Sequence, residues 1–386
     1  MKGLSLPLAL AAASWSSLAL SSSSNVADFA SNKVLHDAEP IFGSYVKKDT
    51  SKAHWMKDYS DDTLLVHMNI PGTHDSATWN YTQATQDALL GITGLNEVTV
   101  PVPETFRCQE LSLINMLNMG IRAFDLRYAF DATNTSLVFY HSQALLSETA
   151  TLDDVLFGFY RWLDDHPSET LFLSLQYEGS TAKYASNNAG VQMELYNALT
   201  SPAAHHYFVQ TKNELGTLGE ARGKITLMRR FDLDQLATSY TNSLPGLHFS
   251  PSLWTDNSAD ITLTYNSDKN LTAYIEDYYE PLTPSGSNAT ENIRWKYNAT
   301  TQNILKATTT HPDSLFWTWA SAENTDNDPP VWPEIMAIGN GSLTPTGGVN
   351  QLLVPFLKKQ QGKRVGIVMF DFYDKPADLI DTFLSL

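Results

Sequence analysis

Ile70-Pro71-Gly72-Thr73-His74-Asp75-Ser76 follows an apolar run and sets a histidine and a carboxylate just beyond it. The run, Leu64–Ile70, reads as a strand, and the chain is expected to turn at Pro71-Gly72. His74 and Asp75 would then stand at a strand's C-terminal end, where catalytic residues of a (β/α)₈ barrel come from. Three more apolar runs carry polar groups in the same way. In Gly120-Ile121-Arg122-Ala123-Phe124-Asp125-Leu126-Arg127, alternation puts Arg122, Phe124 and Leu126 on one face, and Ile121, Ala123, Asp125 and Arg127 on the other. Asp125 and Arg127 thus project together, and burying them is costly unless they pair or bind something. Val138-Phe139-Tyr140-His141 ends on a titratable group, and Val368-Met369-Phe370-Asp371 ends on a carboxylate.

Working outward, further strand candidates are Ile121–Tyr128, Leu137–His141, Thr170–Gln176, Lys224–Arg229, Leu271–Ile275, Ser314–Ala320 and Arg364–Phe370. Several are continuous apolar runs, as strands of a parallel sheet are when buried on both faces. Helical spacing separates them. Residues 151–165 line up Leu152, Val155, Leu156, Phe159, Trp162 and Leu163, and His166-Pro167 stops the helix. Residues 110–119 read likewise and end at Gly120, a C-cap candidate. Alternating strands and helices predict an α/β fold, a single irregular (β/α)₈ barrel spanning 61–386. The polar stretch 235–310 is expected to form long surface loops around one or two strands, and 323–350 a second loop-rich segment.

Residues 1–21, with Lys2 ahead of the apolar run Leu4–Ala13 and a cleavage candidate at Ala19-Leu20-Ser21, read as a signal peptide. Residues 22–60 read as a leader packing on the domain. Asn-X-Ser/Thr occurs at Asn80, Asn134, Asn270, Asn288, Asn298 and Asn340, in keeping with secretion to the extracellular space. The lone cysteine, Cys108, has no partner for an intramolecular disulfide and is expected to be a buried small residue. A net charge of −17 over 386 residues argues against a nucleic-acid partner and against long-range attraction to an anionic membrane.

Each signal has an ordinary structural alternative. A histidine after a strand is commonly a core or loop residue, an aspartate commonly caps a helix, and Asp125/Arg127 could be a structural pair. Their repetition at successive strand ends outweighs this. Ile-Pro-Gly-Thr-His-Asp-Ser, then Gly-Ile-Arg-x-Phe-Asp-Leu-Arg, then a strand ending in His141, resembles the X domain of phosphatidylinositol-specific phospholipase C, in its bacterial-type single-domain form with secreted fungal relatives. The resemblance runs on through His166-Pro167-Ser168-Glu169-Thr170, Ser174-Leu175-Gln176-Tyr177-Glu178, Arg222-Gly223-Lys224-Ile225 and Arg229-Arg230 to Asp371.

This resemblance implies that His74 is the general base, oriented by Asp371. It implies that His141 is the general acid, supported by Asp75, and that Arg127 binds phosphate. The inositol 2-hydroxyl would attack the adjacent phosphorus, releasing diacylglycerol and a cyclic inositol phosphate. Glu178, Arg229 or Arg230, Asp277 and Tyr279 correspond to inositol contacts. Gln176 stands where a lysine is expected. A cation at Arg127 would make a divalent ion redundant, so neither metal nor cofactor is expected. Asp125 and Glu178 are the acids left for a weak calcium site. The expected partner is a phospholipid at a membrane surface, met transiently by a monomer. Of the late tryptophans, Trp317 and Trp319 alternate as core residues do, and Trp332 is the candidate for interfacial contact. Two alternatives stay open: another phosphodiester, such as a glycosylated inositol anchor or a glycerophosphodiester, or a barrel that binds an inositol lipid without turnover.

Overall fold

The computed structural model describes residues 10–93, 99–179 and 186–386. Lys2 and most of the apolar run Leu4–Ala13 lie outside them. The strands are β1 Ile70–Thr73, β2 Ala123–Phe130, β3 Leu137–His141, β4 Ala144–Leu145, β5 Leu171–Tyr177, β6 Ile225–Arg230, β7 Leu247–His248, β8 Ser258–Asn266, β9 Leu271–Asp277, β10 Leu315–Trp319 and β11 Ile367–Phe370. Their order is β7-β6-β5-β2-β1-β11-β10-β9-β8, parallel throughout except for β8 against β9. Eight parallel strands therefore make a nearly closed barrel whose seam lies between β7 and the β8–β9 hairpin.

Alternation divides each strand between two cores. Ala123, Phe172, Met228, Ile275, Trp317 and Met369 fill the barrel. Phe124, Leu126, Leu173, Leu175, Val368 and Phe370 face outward into the layer of helices. Helix Leu152–Asp165 presents Phe159 and Trp162 to that layer, and its start is fixed by a Thr151/Asp154 capping box. The helix Leu10–Phe42 runs through the expected cleavage site and buries Ala38, Ile41 and Phe42, with Phe42 edge-on to Phe159 at 5.4 Å. No described helix is long and apolar enough to cross a membrane.

Several local expectations are corrected. The run Leu64–Ile70 is not a strand, since Leu65–His67 is a 3₁₀ turn. Pro71-Gly72 is not the turn but lies inside β1. Gly72 is needed for closeness: a Cβ there would sit 2.4 Å from the Met369 sulfur and 2.8 Å from the Ala123 Cβ. β3 matches the expected residues but is not a barrel strand, because it folds back antiparallel on β2. The stretch 235–310 holds more than loops: β7, the β8–β9 hairpin and the 21-residue helix Ala289–Thr309. Trp317 and Trp319 are core residues as expected, and Trp332, the interfacial candidate, is half-buried ahead of helix Pro333–Ile338. Residue Gly120 does close helix Leu113–Asn118, at φ +102°.

Candidate active site

The C-terminal ends of the strands open into a cavity of about 710 Å³ lined by His74, Arg127, His141, Gln176, Glu178, Arg230, Asp277, Tyr279 and Asp371, among others. It gathers most of the residues singled out from the sequence. Asp75 is fully buried behind it. Of the two adjacent arginines, Arg230 enters the cavity, whereas Arg229 points away and donates to the Thr241 carbonyl at 3.2 Å. Consecutive strand residues face opposite ways, so only one of the pair can line the interior. Arg229 is therefore removed from the candidate set.

His74 leaves β1 beside the end of β11. Its backbone N–H donates to the Phe370 carbonyl at 3.1 Å, and Asp371 comes one residue later. Gln109 staples the two strand ends, its amide donating to the carbonyls of His74 at 2.7 Å and Phe370 at 2.8 Å. Asn350 donates to the backbone carbonyls of Asp371, Phe372 and Lys375 and so holds the loop after β11. The His74 Nδ1 lies 2.8 Å from Asp371 Oδ1, and its Nε2 lies 2.8 Å from Arg127 Nη2. A guanidinium can only donate, so Nε2 accepts, and the proton of the neutral ring sits on Nδ1, toward Asp371. Burial holds the His74 pKa well below its usual value, and the charges of Arg127, His141 and Arg230 act the same way. Burial and the neighbouring Asp75 charge hold the Asp371 carboxyl well above its usual range.

His141 ends β3, and its ring stands 6.3 Å from that of His74 at an interplanar angle of 86°. Its Nδ1 donates to the Phe106 carbonyl at 2.7 Å and lies 3.3 Å from Asp75 Oδ2. That leaves Nε2 for the cavity. Asp75 sits in the left-handed region, at φ 40°, as the chain swings from β1 into the 3₁₀ turn Ser76–Asn80. Such a conformation costs roughly 1–3 kcal/mol and persists where surrounding contacts impose it; here the Asp75 N–H donates to Asp125 at 3.3 Å. Burial pushes the Asp75 carboxyl up to about 6, outweighing Arg127 and His141, which pull it down.

Arg127 is surrounded. Its Nε lies 3.2 Å from Asp125 and 3.5 Å from Asp75, its Nη1 lies 3.2 Å from Glu178, and Nη2 reaches His74. Burial opposes its charge, but the three carboxylates more than offset that and hold its pKa well above normal. Burial alone would raise Glu178. Arg127, His141 and the Ser142 N–H, which donates at 2.9 Å, bring it below its usual value. Asp125 and Glu178, the acids left for a calcium site, are both engaged by this guanidinium.

Several neighbours were not read as site residues from the sequence. Trp319 meets the His74 ring edge-on at 5.7 Å, and Phe106 meets His141 at 5.8 Å. Trp254 stacks on the Arg230 guanidinium at 4.0 Å and donates from Nε1 to Asp277 at 2.8 Å. Cys108 and Glu323 also line the cavity. Trp254 and Glu323 fall in the two segments that read as loops, where no periodicity marks a residue as inward.

Residues 103–231 match the model of the phosphatidylinositol-specific phospholipase C, X domain. A 1-phosphatidylinositol phosphodiesterase of Staphylococcus aureus (strain Newman) is 26% identical over 235 residues, covering 60% of this chain and 66% of that protein. The chain thus aligns with just under two thirds of that relative's length. A Listeria monocytogenes protein of the same name is 29% identical over 185 residues, covering 47% of this chain and 50% of its own. A PI-PLC X domain-containing protein 1 of Danio rerio is 25% identical over 288 residues, covering 69% and 84%. Among solved structures, a phosphatidylinositol-specific phospholipase C from Staphylococcus aureus superposes with a TM-score of 0.64 at 19% identity, over 87% of this chain and 97% of that one. The Listeria monocytogenes enzyme gives 0.59 at 22% identity, over 86% and 97%. The likeness of structure carries the barrel fold. The resemblance to the phosphatidylinositol-specific phospholipase C X domain is borne out, and relatives on this alignment are named as phosphodiesterases. Arg127, His141 and Glu178 lie inside the matched segment, whereas His74, Asp75 and Asp371 lie outside it.

Proposed function

We propose that this chain cleaves phosphatidylinositol-type lipids by attack of the inositol 2-hydroxyl on its own phosphodiester, giving diacylglycerol and a cyclic inositol phosphate. The observation that carries the reading is the facing pair of histidines, each backed by a buried carboxylate, with Arg127 beside them at the mouth of one cavity. A bound phosphate would draw the Arg127 guanidinium off His74. That exchange bares Nε2 for the hydroxyl proton at the moment the phosphate arrives. His74 is suited to accept it because its surroundings keep it neutral. The proton it takes up stays on Nε2, and the imidazolium so formed is stabilised by Asp371, which accepts from Nδ1–H. His141, whose Nδ1 is held by Phe106 and Asp75, would deliver a proton from Nε2 to the leaving glycerol oxygen. Proton transfer of this kind contributes about 10²–10⁴-fold, and the intramolecular nucleophile up to roughly 7–11 kcal/mol. Glu178, Arg230, Asp277, Tyr279 and Gln176 would contact the head group from the cavity wall.

The substrate would be met at a membrane surface, with the barrel acting as a monomer. Secretion is part of the same reading, and all six sequon asparagines are exposed, as glycosylation requires. The experiment that tests the function is phosphorus NMR of phosphatidylinositol incubated with the protein in excess chelator. A cyclic phosphodiester resonance is expected, and it should disappear in His74→Ala, with a rate loss of at least about 10³-fold. Full activity in His74→Ala overturns the mechanism. Tight inositol binding with no product from any phosphodiester would favour the binding-only reading.

A second substrate reading rests on Gln176. Its neutral amide lines the cavity, and its Oε1 is buried without a hydrogen-bond partner. A neutral acceptor in place of a cation suits a hydroxyl-bearing head group without added phosphate, plain or glycosylated as in an inositol anchor. A panel of the two lipids, compared by kcat/KM, separates these readings.

A further inference from the structure

Cys108 is fully buried within the protein yet stands on the cavity wall between the two histidine–carboxylate pairs. Its place is fixed by backbone bonds: its N–H donates to Thr78 Oγ1 at 3.0 Å, and its carbonyl accepts from the Phe372 N–H at 2.9 Å. The ligand atoms of His74, Cys108 and Asp371 lie within 4.8 Å of one another, and so do those of Asp75, Cys108 and His141. The thiol is therefore common to two trios. The carboxylates hold spare capacity. Both oxygens of Asp75, and Oδ2 of Asp371, are buried and accept no hydrogen bond. Asp75 Oδ2 has His141 and Arg127 only at 3.3 and 3.5 Å, so these buried oxygens lack a hydrogen-bonded donor, which is costly, and they converge on a sulfur and an imidazole.

The geometry points to an inhibitory site for a soft divalent cation of the zinc class, in which the Cys108 sulfur and one histidine–aspartate pair are the protein ligands. Zinc takes sulfur at about 2.3 Å and nitrogen or oxygen at about 2.0–2.2 Å, so tetrahedral ligand atoms stand about 3.6 Å apart. Each trio needs adjustments of about 1 Å to reach that spacing. Three protein ligands leave the fourth position for water. Sulfur and nitrogen donors select zinc or cobalt over calcium and magnesium, which want oxygen alone. On binding, the thiol releases its proton to solvent and the imidazole ligates through its unprotonated nitrogen; where Nδ1 is the ligand its proton passes to Nε2, which in His74 displaces Arg127. Whichever trio is used, one of the two proton-transferring histidines is taken out of service. Burial and the Asp371 and Asp75 charges hold the thiol protonated, so without metal Cys108 is inert and takes no part in proton transfer.

The test uses the full chain with cobalt chloride and zinc chloride as probes. Cobalt added to wild-type protein should give the near-ultraviolet charge-transfer band of a thiolate–cobalt bond, and Cys108→Ser should abolish it. Zinc should inhibit cleavage of phosphatidylinositol vesicles and be reversed by chelator, while calcium at equal concentration should not inhibit. In Cys108→Ser the metal-free rate should be unchanged, and the zinc needed for half inhibition should rise by about tenfold or more, as expected when a soft ligand is lost. Absence of the cobalt band in folded wild-type protein overturns the site, whatever the variant does. So does equal zinc sensitivity in wild type and Cys108→Ser. The cobalt band needs no turnover, so it judges this site separately from the proposed lipase reaction.

Discussion

Arg122 and Arg127 are five residues apart at the same strand, and they live in opposite electrostatic worlds. Arg122 stands outside the barrel, fully buried like its partner Glu169. Its donors reach Glu169 and the carbonyls of Leu117, Ile121, Lys52 and Ala53, and Trp162 lies under its plane at 4.7 Å. One acid meets one base, and every donor has a fixed acceptor. Arg127 points inward, is 14% exposed, and is shared by three carboxylates and an imidazole. A guanidinium held that way has competing partners to exchange, and it borders a cavity from which a new anion can arrive. Matched burial makes a structural charge; contested burial makes one that can act.

The comparison can be broken at either arginine. The largest effect is expected from Arg122→Met, which strands the Glu169 carboxylate in the apolar layer. Stability should fall by about 3–5 kcal/mol, measured by denaturant unfolding, with kcat per folded molecule within twofold of wild type. A drop in kcat with intact stability would erase the distinction. Arg127→Lys keeps the charge among the three carboxylates but loses the planar fork. Activity should fall about 10²-fold, equivalent to roughly 2.7 kcal/mol, while the unfolding midpoint stays close to wild type.

Asp75 sharpens the contrast by pH. Its pKa is raised from 3.8 to about 6, so the folded protein holds that proton more tightly than the unfolded chain. The group therefore favours folding at low pH and costs stability as pH rises from 3.8 to about 6. Asp75→Asn should remove that part of the pH dependence and leave the neutral-pH midpoint at or above wild type, while activity falls about tenfold or more. The acid-side fall of kcat/KM should lie well below the 6.5 of an ordinary histidine, since burial and the neighbouring charges hold His74 neutral. A midpoint above 6.5 would mean that His74 is not the base. The smallest effect belongs to Gln176→Lys. It puts a cation beside Glu178 and should shift kcat/KM between plain and glycosylated inositol lipids by less than about tenfold.

How far the sequence could be read depends on the same distinction between patterned and unpatterned burial. β2, β5, β6, β10 and β11 announce themselves as apolar runs because both of their faces are buried. Helix Ala289–Thr309 does not, because polar residues interrupt the face it buries: Asn292, Lys296, Thr300 and Asn303 lie among Ile293, Ala299, Ile304 and Ala307. Lys296 pairs with Glu276 at 2.6 Å, Asn303 donates to Thr318 at 2.9 Å, and Asn292 donates to Thr283 at 2.7 Å. A helix docked partly by hydrogen bonds carries only a broken apolar stripe, which is hard to find by period. β7 is two residues long, too short for any period. Within the site, alternation paired Asp125 with Arg127 correctly but could not choose between Arg229 and Arg230, because the inward face was fixed only by the register of β6 against β5.

By itself the sequence determined the barrel class, most of the polar groups that line the cavity, and the resemblance that names both histidines. These rest on local pattern: where apolar runs stop, and which residues come next. Only the tertiary structure decided that Pro71-Gly72 lies inside a strand, that β3 turns back as a hairpin, and that Arg230 rather than Arg229 enters the cavity. It set Asp371 at 2.8 Å from His74 across 297 residues of chain, as the resemblance implied, and only it placed a lone thiol between both pairs. Those facts depend on register and close approach between segments far apart in sequence, which no local period encodes.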